Sequence, residues 1–174
     1  MSEKTITIFG TAASRPGEPG YILAYETGRL LAQAGFAIAN GGYGGTMLAA
    51  AKGAREAGGK TIGVTCSAFK RGKANEYIDD EIVTGSLDER LDTLIKLGRG
   101  YVVLPGGTGT LLELAKVWEL KNKGFLEKDK PIILVGGFYR QLVDLIGAED
   151  PESINCIKFA SGPDEVRDIL VATV

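Results

Sequence analysis

The chain has 174 residues, 44% of them hydrophobic and 24% charged, with a net charge of −2. This is the profile of one soluble domain with room for a sizeable core, and no long basic run argues for nucleic acid or an anionic membrane surface. Histidine is absent, which excludes Ser-His-Asp and Cys-His catalysis and any histidine-ligated metal.

Cys66 and Cys156 stand too far apart for a zinc or disulfide framework and read as small buried hydrophobes. Residues 1–4 carry no signal-peptide pattern, and no apolar run is long enough to span a bilayer. The expectation is a cytoplasmic protein without a membrane partner.

Residues 5–10 (TITIFG) form a β-branched apolar run closed by glycine and predict a strand. The loop 11–20 holds Arg15, Pro16 and Pro19, which block helix until about Tyr21. Leu23, Tyr25, Leu30 and Leu31 then recur at helical spacing over 21–34, and Gly35 ends the run. Residues 36–39 form a second buried strand. Asn40, Gly41, Gly42, Tyr43, Gly44, Gly45, Thr46 and Met47 make a glycine-rich turn that opens a helix through Ala57.

A third strand covers 60–66, and 67–80 reads as an exposed loop of mixed charge with Lys70, Arg71, Lys73 and Asn75. A short strand at 81–84 precedes a helix that starts at Ser86 and carries Leu87, Leu91, Leu94 and Ile95. The apolar run 101–104 is a strand, followed by a helix to about Lys123. A strand at 131–135, a helix over 138–146, a strand at 154–159 and a helix over 163–171 complete the chain.

Strands alternating with helices predict one α/β domain over 1–174, built on a mostly parallel sheet covered on both faces. The continuous apolar strands agree with that burial. Ligands of such sheets sit beyond the carboxyl ends of the strands. Three turns lie at that edge: 10–20, 40–47 and 105–110. The first of them opens with Gly10 and Thr11.

The third turn reads Pro105-Gly106-Gly107-Thr108-Gly109-Thr110-Leu111-Leu112-Glu113. Glycines let the backbone approach a ligand, and free amides at a helix start make an anion site. Glu113 would repel a phosphate lying directly on it, so it is better aimed at a sugar. The same spacing also fits a Thr110–Glu113 capping box that needs no ligand. From spacing alone the two readings are evenly matched.

Neither glycine turn matches G-x-G-x-x-G, and the second strand ends on Asn40 rather than on an acid for a ribose diol. No lysine stands where a Walker loop needs one. The turns suit an anion of mononucleotide size. Tyr43 could stack on a base or lie at the surface between its glycines; Ser14 and Arg15 could touch a ligand or simply be solvated.

Taken together, these motifs resemble the Lonely Guy family of cytokinin-activating phosphoribohydrolases. The Pro105–Glu113 stretch matches the family's PGGxGTxxE signature, and the 40–47 turn resembles its GGGxxGxM turn. Arg90 stands fifteen residues before Pro105, where the family has its catalytic arginine. Members share a Rossmann-like three-layer fold, cleave the N-glycosidic bond of nucleoside 5′-monophosphates without metal or cofactor, and are homodimers with sites near the interface. The older label of lysine decarboxylase fits poorly, since no pyridoxal phosphate site is apparent.

By this resemblance Gly106, Gly107, Thr108, Gly109 and Thr110 hold the 5′-phosphate, with Gly10, Thr11, Gly42, Tyr43, Gly44 and Gly45 completing the substrate site. Glu113 faces the ribose, and Arg90 binds phosphate or assists the leaving base. Familiar active members have Arg-Lys where this chain has Arg90-Leu91, and Glu-Glu where it has Leu112-Glu113. The related molybdenum cofactor carriers supply the alternative, a nucleotide- or cofactor-binding carrier or sensor without turnover.

Overall fold

The computed structural model describes residues 4–70 and 72–174; residues 1–3, read above for targeting, and Arg71 of the mixed-charge loop lie outside the described residues. Seven strands form one sheet: β1 (Thr5–Phe9), β2 (Ala37–Asn40), β3 (Thr61–Cys66), β4 (Asp80–Thr84), β5 (Gly100–Val103), β6 (Ile132–Val135) and β7 (Ile157–Ala160). Their order is β4-β3-β2-β1-β5-β6-β7, and every pairing is parallel. Each link between neighbours therefore crosses over the sheet, and helices supply most of these crossovers.

The helices are α1 (Pro19–Gln33), α2 (Thr46–Glu56), α3 (Leu87–Leu97), α4 (Thr108–Asn122), α5 (Arg140–Glu149) and α6 (Pro163–Thr173). Alternation along β1 explains the two cores. Ile6 and Ile8 pack with Leu31, Ala50 and Leu170 on the α1–α2–α6 face, while Phe9 packs with Leu94, Leu114 and Trp118 on the α3–α4–α5 face. Thr7 is buried in that second face without cost because its hydroxyl donates to the carbonyl of Leu94 at 2.9 Å.

Several boundaries differ from the sequence expectation. Helix α1 starts at Pro19 rather than Tyr21, since proline at the first helical position loses no needed N–H. Helix α5 is shifted toward Glu149, and the expected strand 154–159 is split. Its first half is a 3₁₀ turn over Ser153–Cys156, and only Ile157–Ala160 pairs with β6. The indole N–H of Trp118 donates to the carbonyl of Ser153 at 2.8 Å and holds that turn against α4. Cys66 is buried as expected, whereas Cys156 is only half-buried at the end of the turn.

Helices α1 and α2 cross with backbones nearly touching. A Cβ on Gly28 would stand 2.1 Å from the carbonyl oxygen of Ala50, and one on Gly53 would stand 2.1 Å from that of Tyr25. Only glycine fits at either position.

Candidate functional site

The sheet reverses its winding between β1 and β5: one half runs outward through β2 to β4, the other through β6 to β7. The segments leaving these two central strands diverge, which opens a crevice at their carboxyl ends. A cavity of about 750 Å³ fills that crevice.

One wall is the segment after β1, Gly10 to Ala13, and the facing wall is the start of α4, Gly107 to Thr110. Helix α3 contributes Leu87, Arg90 and Leu91, and the second turn of α4 contributes Leu112 and Glu113. Tyr43 and Met47 enter from the β2–α2 side, and Phe69 and Lys70 from the loop after β3.

Helix α4 decides between the two readings of Glu113. The helix begins at Thr108, its N-cap is Gly107, and no side chain caps it. Thr110 is thus already helical and cannot be the cap of a capping box. The amides of Thr108, Gly109 and Thr110 lack intrahelical acceptors, as at any helix start. They lie at the cavity wall together with the positive end of the helix dipole. Pro105 and the glycines after it make this short entry possible. Tyr139 pins it by donating its hydroxyl to the carbonyl of Gly106 at 3.0 Å.

Glu113 is 8% exposed and Arg90 6% exposed, so two opposite charges are buried at the edge of the cavity. The guanidinium Nη1 lies 3.6 Å from Glu113 Oε1, an ion pair too long to count as a hydrogen bond. Arg90 is anchored elsewhere: Nε donates to the carbonyl of Val64 at 2.8 Å, and Nη2 to that of Gly41 at 3.3 Å. Tyr43 and Phe69 place their rings 5.7 and 5.6 Å from the guanidinium carbon, within cation–π range. Burial pushes the Glu113 carboxyl up to about 7, against the opposing pull of Arg90. Acid and carboxylate forms are therefore both populated near neutral pH.

The fold brings most of the expected site residues to one place. Glu113, Arg90, Gly107, Thr108, Gly109, Thr110, Gly10, Thr11 and Tyr43 all line the cavity. Four do not. Gly106 lies behind the turn, where a Cβ would meet the Thr110 hydroxyl at 2.2 Å. Gly42 packs against β3, with its φ at +75°. Gly44 lines a neighbouring hollow with Lys73 and Asn75. Gly45 is the N-cap of α2 at φ 64°, pressed against Thr11.

The second glycine turn also acts as a brace. The Thr46 amide and hydroxyl both donate to the carbonyl of Thr11, at 2.8 and 3.0 Å, so part of the α2 N-terminus is already occupied. The side-chain Nδ2 of Asn40 donates to the carbonyl of Met47 at 2.9 Å.

Tyr43 is buried rather than a surface residue, and its hydroxyl accepts from the Cys66 amide at 2.9 Å. Neither Ser14 nor Arg15 reaches the cavity wall. The residues that sequence reading missed are Ala12, Ala13, Met47, Phe69, Leu87 and, as a wall residue, Lys70. Ala12, Ala13 and Met47 fall within the 10–20 and 40–47 turns, whereas Phe69, Lys70 and Leu87 arrive from separate segments that no local pattern marks. Among the described residues no cluster of His, Cys, Asp and Glu could hold a metal, and no helix is long and apolar enough to cross a membrane.

Comparison with known proteins agrees with this fold. The chain is 31% identical over 134 residues to an uncharacterized protein of Archaeoglobus fulgidus, covering 77% of this chain and 86% of that one. It is 38% identical over 116 residues to the cytokinin riboside 5′-monophosphate phosphoribohydrolase of Mycobacterium tuberculosis, covering 65% of this chain and 60% of that enzyme. Among solved structures it is similar to the molybdenum cofactor binding protein from the phototrophic bacterium Rippkaea orientalis. The TM-score is 0.81 at 25% identity, over 99% of this chain and 98% of the other. A parallel seven-stranded sheet with its cavity at the central reversal, and a family model matching residues 3–162, lead to one assignment: the chain belongs to the SLOG cluster4 family.

Proposed function

We propose that the protein is a nucleoside 5′-monophosphate phosphoribohydrolase, which replaces the C1′–base bond by a C1′–oxygen bond from water and releases free base and ribose 5-phosphate. The observation that carries this reading is the buried carboxyl of Glu113, placed one helical turn beyond a wall of free amides. The amides of Thr108, Gly109 and Thr110 take the 5′-phosphate, with Gly107 and the Thr hydroxyls beside them. The ribose then lies over Glu113. As the glycosidic bond lengthens, C1′ gains positive charge, and a carboxylate beside it in a water-poor cavity stabilises that charge.

Arg90 spends two donors on main-chain carbonyls and directs a third toward Glu113. That commitment suits a positioning role toward the carboxylate better than direct capture of phosphate. The mycobacterial relative's name supports the substrate class, over the part of that enzyme the chain matches.

A second reading is a carrier that binds a nucleotide or the molybdenum cofactor without turnover. It is favoured by the fold match over nearly the whole chain and by Leu91, an apolar residue on the cavity wall. One assay separates the two. Wild-type protein incubated with AMP and with an N6-substituted AMP is expected to release base and ribose 5-phosphate. Glu113→Gln is expected to lower that rate about 100- to 1,000-fold while nucleotide binding persists. Tight binding by the wild type with no base released establishes the carrier.

A further inference from the structure

Among the described residues, three charged side chains line the cavity: Glu113, Arg90 and Lys70. The first two face each other and offset one another. A phosphomonoester brings about −1.5 to −2 charges near neutral pH. The start of α4 offers the equivalent of roughly half a positive charge, and Glu113, when ionised, opposes the incoming anion. A compensating cation is needed, and Leu87, Leu91 and Leu112 leave the neighbouring wall apolar.

Lys70 is exposed and makes no ion pair among the described residues. The residue before it is anchored. The preceding residue, Phe69, donates its amide to the carbonyl of Cys66 at 3.0 Å and packs its ring 6.2 Å from that of Tyr43. The four-carbon stem of Lys70 thus starts from a braced turn at the cavity rim.

We propose that Lys70 neutralises the phosphate of the bound ligand and sets the preference for phosphorylated over unphosphorylated nucleosides. The proposal rests on the nucleotide reading above for the identity of the ligand, and on the charge balance of the cavity for the role of the lysine. Lys73 provides a matched control. It carries the same charge three residues on, but lines the neighbouring hollow instead.

The test is equilibrium binding of AMP, adenosine and inorganic phosphate to wild type, Lys70→Met, Lys70→Arg and Lys73→Met. Lys70→Met is expected to weaken AMP and phosphate about tenfold and leave adenosine unchanged. Lys70→Arg is expected to retain most of the affinity, and Lys73→Met to stay within about twofold of wild type. Wild-type affinity in Lys70→Met, an equal loss in Lys73→Met, or no binding of phosphate and AMP to wild type overturns the proposal. If AMP fails to bind while phosphate binding still depends on Lys70, the nucleotide reading falls and the lysine's role stands. If AMP binds through Lys70 but is never cleaved, only hydrolysis falls.

Discussion

Glu113 joins the chemistry of the cavity to the stability of the fold. Its folded pKa of about 7 lies above the ordinary value of 4.5, so the folded protein holds a proton that the unfolded chain has already released. The native state binds more protons across that window, and stability therefore falls as pH rises. The contribution is fully present below about pH 4.5 and is lost as pH passes through about 7. We expect urea midpoints to fall between pH 5 and 8 more steeply for wild type than for Glu113→Gln. Parallel curves for the two proteins would show that the buried carboxyl does not hold its proton. The same titration predicts an acid limb near pH 7 in the kcat/KM of base release, because the carboxylate is the form that stabilises developing charge at C1′.

The packing of α1 on α2 matters to function because α2 opens from the β2 turn and Met47 lies at its start. The two helices approach as closely as they do because neither Gly28 nor Gly53 carries a side chain. Gly28→Ala forces a methyl group into the main chain of Ala50, where nothing can rotate away. The backbones must part, at a cost of roughly 2 kcal/mol or more. Gly137→Ala meets nothing within 4 Å and is expected to stay within about 0.5 kcal/mol of wild type. Chemical denaturation of both variants checks the contrast, and equal stabilities would refute the close crossing. At this scale the start of α4 was also settled. Thr110 and Glu113 have capping-box spacing, but Gly107 caps the helix and Glu113 turns to the cavity instead.

Over the whole molecule, apolar side chains remain outside the two cores. Phe138 is 61% exposed, Leu145 69% and Phe125 76%. We predict that this apolar surface pairs with a second copy of the chain, so that light scattering gives twice the chain mass; a monomer at micromolar concentration would refute it. The alternation of β-branched apolar runs with helical spacings was enough to reveal a parallel α/β sheet, because each period is a local property of the chain. The glycine-rich entry to α4 was equally legible, since a turn and the first residues of a helix are contiguous in sequence. Strand order was not, and with it went the cavity. Only the placement of β1 beside β5 brings Gly10 and Thr11 opposite Thr108, and only α3 packed on the sheet face over β1 to β3 carries Arg90 to Glu113. The 40–47 turn looked like a second anion site because its glycines and helix start have the same local chemistry. Tertiary contact engages part of it: Thr11 takes the Thr46 amide, and Asn75 donates to the carbonyls of Gly42 and Tyr43. Local periods and turns belong to neighbouring residues, whereas burial, charge pairing and the choice of which amides stay free depend on segments far apart in the chain.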